Sequence, residues 1–294
     1  MHQLDAVRSP VPLMKTRNLG KLRWDWIALW TATICVFVFL VVPTFIVVPM
    51  ALTPKNILEF PPQGFSLHSF VDFFSSSEWM ASLLMSIEVA VIAVVISTIV
   101  GTLAAIALHG AKFRGRDLVI GLILLPIATP LIVLAIGFFG FFARLHLVAT
   151  PLGIGLAHSL LAMPYVYLCV SASLSGLDLQ LVRAVQSLGG GVWAIFRFAY
   201  LPVILPGIVG GMVFAFAVSF DEVIIAYFLQ GPDATTLPVR IFLNLQYNLT
   251  PVVAAVSTLL LLVTLLLLGM QMVFLKRRSR ISFLPVSFQM DTEG

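Results

Sequence analysis

Six stretches of this chain are each long and apolar enough to cross a lipid bilayer, and no other feature restricts the fold as strongly. A hydrocarbon core about 30 Å thick needs about 20 mostly apolar residues, because a helix rises about 1.5 Å per residue. The stretches are Ile27–Leu52, Ala81–Leu108, Leu118–Phe142, Leu152–Ser175, Leu201–Phe228 and Pro251–Leu275. A backbone in lipid must satisfy its own N–H and C=O groups, so an all-α membrane protein of six transmembrane helices is expected. Only 10% of the 294 residues are charged. A soluble domain carries about 25%, and this chain lacks the polar residues to cover a water-facing surface. Pro43, Pro126, Pro130, Pro164 and Pro206 fall within the stretches and read as kinks more than breaks, since neighbouring helices can re-satisfy the freed groups. The run after Trp26 is too long for a signal-peptide core and lacks a small-residue cleavage site, so it reads as a retained first span. Cys35 and Cys169 lie in apolar runs and read as small hydrophobes, not a disulfide or metal pair.

Lys and Arg in short flanking loops set the orientation. Arg8, Lys15, Arg17, Lys21 and Arg23 precede the first span; Lys112, Arg114 and Arg116 follow the second; Arg183 and Arg197 follow the fourth; Lys276, Arg277, Arg278 and Arg280 follow the sixth. The alternate loops hold only Lys55, Arg144 and Arg240. Both termini are therefore expected in the cytoplasm, with a cytoplasmic segment 1–26, a membrane domain 27–275 and a cytoplasmic tail 276–294. This asymmetry accounts for the net charge of +4 without a nucleic-acid partner. In the outer loop Thr53–Met80, Phe70, Phe73 and Phe74 share one helical face, which predicts a short helix lying on the outer membrane surface or capping the bundle.

The loop between spans four and five, about residues 176–200, carries the most information. A helical pattern from Leu177 to Leu188 stops at Gly189-Gly190-Gly191, and glycine is the usual residue where a helix terminates. A short amphipathic helix in the cytoplasm either lies on the inner leaflet or fills a groove on a partner.

This loop resembles the "EAA" loop of ABC importer membrane subunits: Glu-Ala-Ala, three residues, Gly, nine residues, Ile, any residue, Leu-Pro. Ala184, Gly189, Leu201 and Pro202 fall on that spacing, while Arg183, Val185 and Ala199 depart from it. The segments Ser219-Phe220-Asp221-Glu222-Val223, Gly231-Pro232 and Thr235-Thr236-Leu237-Pro238-Val239-Arg240 are similar to the second permease of spermidine/putrescine importers. The resemblance implies the type I permease fold of ABC importers in the bacterial inner membrane. It also implies a second homologous permease, two cytoplasmic ATPase subunits and a periplasmic substrate-binding protein. Asp178, Leu181, Arg183, Ala184, Gln186, Ser187 and Gly189 would then belong to the ATPase-docking loop. The chain has no phosphate loop, H-E-x-x-H or G-x-S-x-G motif, so it reads as non-catalytic, with ATP and Mg on the partner ATPases and no cofactor of its own.

Carboxylates inside a membrane are costly and usually face a cavity or a pathway. Glu88 lies roughly 10 Å into the second span and Asp221 roughly 30 Å along the fifth, close to its outer end. With Glu222, and with Tyr227 for a cation–π contact, they are the candidate residues of a path for a cationic substrate. Trp79 and Tyr247 are further aromatic candidates, although interfacial aromatic belts account for all three. His2, His68, His109, His146 and His158 are scattered and read as structural or solvated. The expected function is half of an ATP-driven import path for polyamines or a related small amine. The alternatives are an opine, aminophosphonate or amino-acid-like solute, or a stand-alone secondary transporter. The last would show inverted repeats, and no matching halves are visible.

Overall fold

The computed structural model describes residues 19–281, with side chains described over 26–266 and at Gly269. The basic residues before Trp26 and after the sixth stretch, and the tail from Ser282, lie outside the described side chains. Among the described residues the regular structure is entirely helical: α1 (Leu19–Met50), α2 (His68–Ser75), α3 (Ser77–Leu108), α4 (Arg116–Ala128), α5 (Leu131–Arg144), α6 (Pro151–Leu174), α7 (Leu179–Ser187), α8 (Val192–Ile195), α9 (Leu201–Phe220), α10 (Ile224–Leu229), α11 (Leu237–Tyr247) and α12 (Pro251–Ile281). A π-helical turn, Phe196–Tyr200, joins α8 to α9. Up to Val47, α1 forms a unit of its own, apolar and with none of its span buried; the rest of the chain from Val48 is the second unit.

Within the second unit α6 lies between α3 and α9 and is the most deeply buried element. Small residues bring these helices close, as is common where lipid offers no hydrophobic driving force between helices. A Cβ at Gly207 of α9 would stand 2.5 Å from the Cys169 carbonyl oxygen of α6, and one at Gly155 of α6 would stand 2.6 Å from Ile92 of α3. Two apolar clusters form around α6. One holds Leu108, Ile123, Leu174, Leu177 and Ile204, at the end where α3 and α6 finish and α9 begins. The other holds Val89, Ala135, Phe142, Ile154, Ile225 and Leu229, toward the opposite end.

Four described helical segments are long and apolar enough to cross a bilayer: Trp26–Met50, Ser77–Leu108, Pro151–Leu174 and Val192–Phe220. Two of the expected spans are not continuous helices. Leu118–Phe142 divides into α4 and α5, which meet at 104°. Thr129 precedes Pro130, and the proline ring excludes the helical region for the residue before it; Thr129 is extended, at φ −87° and ψ 133°. Pro130 is therefore a break and not a kink, whereas Pro126, Pro164 and Pro206 lie inside helices. Leu201–Phe228 likewise ends as a helix at Phe220 and resumes at Ile224. It also begins earlier than expected, because the helical path runs unbroken from Val192.

The expected short helix is present as α2. Phe73 is buried against Trp79 at 6.1 Å, Phe74 is exposed, and the pair joins Leu237, Val253 and Val256 in a third cluster. The same region is tied by polar contacts. The Leu237 N–H donates to Ser86 Oγ at 2.7 Å, and Arg240 bonds Ser82 and reaches Glu78 Oε2 at 2.8 Å.

Candidate functional site

A cavity of about 630 Å³ opens where the two helix breaks meet. Thr129 and Leu131 from the first break, Leu161 and Tyr165 of α6, and Asp221 and Glu222 from the second break line it. Leu161 and Tyr165, from the middle of α6, share this lining with Asp221.

Asp221 and Glu222 do not share a helix, and they have separate surroundings. Asp221 is the residue that ends α9, at φ −101° and ψ −1°, and it is exposed on the cavity. Glu222 is buried, at 7% exposure. Its Oε1 accepts the Ile225 N–H at 2.9 Å and its Oε2 accepts the Ala226 N–H at 3.0 Å. These are first-turn donors of α10, which have no helical acceptor of their own. Oε2 also lies 3.2 Å from Nε2 of His158, a fully buried residue of α6. That contact lacks the alignment of a hydrogen bond, so it is an electrostatic approach and not a directed bond. His158 Nδ1 lies 3.0 Å from Ser219 Oγ, in the last turn of α9. The Glu222–His158–Ser219 cluster is not legible as a unit from spacing. An imidazole in the middle of an apolar helix is itself a signal, because such a group needs a polar partner.

The other path candidates lie elsewhere. Glu88 is exposed on the face of α3 away from its buried residues and does not line the cavity. Tyr227 packs edge-on against Phe242 at 5.8 Å, outside the cavity lining. Trp79 is buried in the α2 cluster, and Tyr247 is exposed at the end of α11.

The loop after α6 forms a second candidate surface. The Asp178 carboxylate accepts the Gln180 N–H at 2.8 Å and starts α7. Gly189, at φ +79°, ends it, with its N–H donating to the Gln186 carbonyl at 2.9 Å. The helix is shorter than the Leu177–Leu188 pattern because Leu177 is buried in the membrane-domain cluster. Val182 packs on that cluster, whereas Leu179, Leu181, Leu188, Val192 and Trp193 are exposed. Arg183, Ala184, Gln186 and Ser187 are partly or fully exposed as well. This leaves an apolar face rimmed by polar side chains, uncovered at the end of the bundle.

Comparison with known proteins agrees with this architecture. The chain is 29% identical over 244 residues to the spermidine/putrescine transport system permease protein PotC of Haemophilus influenzae, covering 83% of this chain and 95% of that protein. It is 31% identical over 205 residues to the putrescine transport system permease protein PotI of Escherichia coli K12, covering 67% and 73%. A bacterial ABC transporter involved in the import of the acidic polysaccharide alginate has a chain with the same fold, at TM-score 0.68 and 16% identity over 87% of this chain and 96% of that one. Residues 97–280 match the family described as the binding-protein-dependent transport system inner membrane component. This chain is a multi-pass inner-membrane protein and belongs to that family of ABC importer permease subunits.

Proposed function

We propose that this permease forms half of an import path for polyamines, with Asp221 as the carboxylate that meets the cation. The observation that carries the reading is the exposed Asp221 carboxylate on a cavity of about 630 Å³ whose other walls are largely apolar. An ammonium group that leaves water for such a cavity needs an opposite charge beside it, or its desolvation is uncompensated. The names of the PotC and PotI relatives support the same substrate class. The acidic cargo of the alginate transporter bears only on fold, since one fold serves many substrates.

A second homologous permease supplies the other half of the path, and a periplasmic binding protein delivers the substrate. Two ATPase subunits, which hold ATP and Mg, dock on the exposed face of α7 and α8. Closure of the ATPase dimer moves residues 178–190, tilts the spans and switches access to the cavity. In this reading six spans cross the membrane, α4 with α5 counts as one of them, and both termini are cytoplasmic.

The test is uptake of labelled putrescine and spermidine into vesicles holding the assembled importer. Asp221→Asn preserves shape and removes the charge; a fall of at least about tenfold, equivalent to about 1.4 kcal/mol, is expected at matched expression. Wild-type uptake by the variant removes Asp221 from the path. Wild-type importer that carries an opine, aminophosphonate or amino acid, and no polyamine, refutes the substrate class.

A further inference from the structure

We infer that Glu222 is a positioning residue for transport: through the α10 backbone and His158 it maintains the break that presents Asp221 to the cavity. This rests on the reading of Asp221 as the path carboxylate.

In an uninterrupted helix the N–H groups of Ile225 and Ala226 would donate to the carbonyls of residues 221 and 222, four positions earlier. Here the two oxygens of the Glu222 side chain take those bonds, at 2.9 and 3.0 Å. One side chain thus replaces two main-chain acceptors, and the backbone is free to leave the helical path at Asp221. Regular bonding resumes when the Tyr227 N–H donates to the Val223 carbonyl at 2.8 Å.

The break is also fixed from the side. His158 of α6 approaches Glu222 with Nε2 and Ser219 with Nδ1, so a single ring touches residues on both sides of Asp221. The end of α9 and the start of α10 are held against the same turn of α6. Glu222 is engaged by backbone donors and buried, so its oxygens are committed to the fold, whereas the adjacent Asp221 is exposed. Two neighbouring carboxylates therefore have different tasks. Replacing the Glu222 carboxylate by an amide keeps one acceptor oxygen and turns the other into a donor, so one of the two buried N–H groups is left short of an acceptor, and the least costly remedy is to extend α9 through residue 223. That extension rotates Asp221 away from its present direction.

The experiment uses the full importer complex with Cys35 and Cys169 replaced by Ala and Asp221→Cys introduced as a probe. A small methanethiosulfonate reagent reports how fast position 221 is modified, with no substrate required. Glu222→Gln and His158→Gln are each expected to slow modification by about tenfold, the scale of a lost charge-assisted contact. The double variant should be no slower than the slower single one, since the pair acts as one unit. Glu222→Asp, which keeps the charge, should recover part of the rate. Ser219→Ala is a milder probe that frees only the Nδ1 side of the ring, and a smaller slowing is expected. If Glu222→Gln does not assemble, His158→Gln and Ser219→Ala carry the test. Unchanged rates in the assembled variants, or losses that multiply independently, overturn the inference. The uptake test remains separate: a labelling response combined with normal Asp221→Asn uptake refutes the path reading and leaves the clamp standing.

Discussion

Of the three consecutive glycines after α7, two are held by different constraints and the third by none, so alanine at each should have a different effect on coupling. Gly189 has φ +79°, and a Cβ there would meet nothing within 4 Å, so its constraint is backbone conformation alone. An L-residue in that region costs roughly 1–2 kcal/mol. Gly190 has no such conformation, but its Cβ would stand 2.6 Å from Val185 Cγ1, 2.8 Å from the Val185 carbonyl oxygen and 3.1 Å from Ala194 Cβ. The carbonyl cannot retreat freely, because it accepts the Gly190 N–H at 2.9 Å. Overpacking of about 1–3 kcal/mol and a hydrogen bond worth about 1 kcal/mol give a combined cost of about 2–4 kcal/mol. Gly191 is open and has an ordinary φ of −76°, so Gly191→Ala should fall within about 0.5 kcal/mol of neutral. The assay is substrate-stimulated ATP hydrolysis and uptake by the purified complex, normalised to the permease present in the membrane. Gly191→Ala should match the wild type, Gly189→Ala should fall by about fivefold to thirtyfold, and Gly190→Ala should fall furthest. Wild-type coupling in Gly190→Ala, or equal loss at all three positions, would show that this turn does not govern docking.

Gly207→Val puts a branched side chain against the Cys169 carbonyl and the Ser173 hydroxyl, where even a Cβ would stand 2.5 Å from each. It should lower the temperature at which the detergent-solubilised complex stays monodisperse, by an amount corresponding to about 1–3 kcal/mol, and an unchanged profile in size-exclusion chromatography would contradict the close α6–α9 packing. Arg240→Leu removes the bonds to Ser82 and Glu78 that tie α11 to α3, and faster proteolysis near α11 is expected in right-side-out vesicles. For topology, an impermeant thiol reagent applied to intact cells should label Ser66→Cys and spare Gln186→Cys; the reverse pattern inverts the orientation.

Hydropathy finds where the chain is apolar, and it therefore marks α6 to within one residue at each end and α3 from Ala81 onward, while the first four residues of α3, Ser77–Met80, read as part of the preceding loop. It averages over local geometry, so Leu118–Phe142 reads as one span even though Thr129-Pro130 carries the signal for a break. The second break has no Pro or Gly. Its cause is the side chain of Glu222 together with His158, which is 64 positions away in sequence, and no local pattern reveals that partnership. The short elements are more legible because their signals are local. Phe70, Phe73 and Phe74 mark α2, while Asp178 and Gly189 bracket α7. The separate tasks of Asp221 and Glu222 depend on burial, and two adjacent carboxylates look alike until a third helix is placed beside them.

The uninterrupted helical path from Val192 to Phe220 has a mechanical consequence. Its 29 residues, at about 1.5 Å each, make a rod of roughly 44 Å with Trp193 at one end and Asp221 just past the other. The π-turn lies close to the Trp193 end and Pro206 lies within the length beyond it, and the helical path continues through both. A tilt of about 10° about the Trp193 end would sweep Phe220 through roughly 7–8 Å, which exceeds a full helical turn of rise. No relay of side chains through the bundle is needed to carry such a displacement. The arm amplifies a small rotation, and the cavity lies where the excursion is largest.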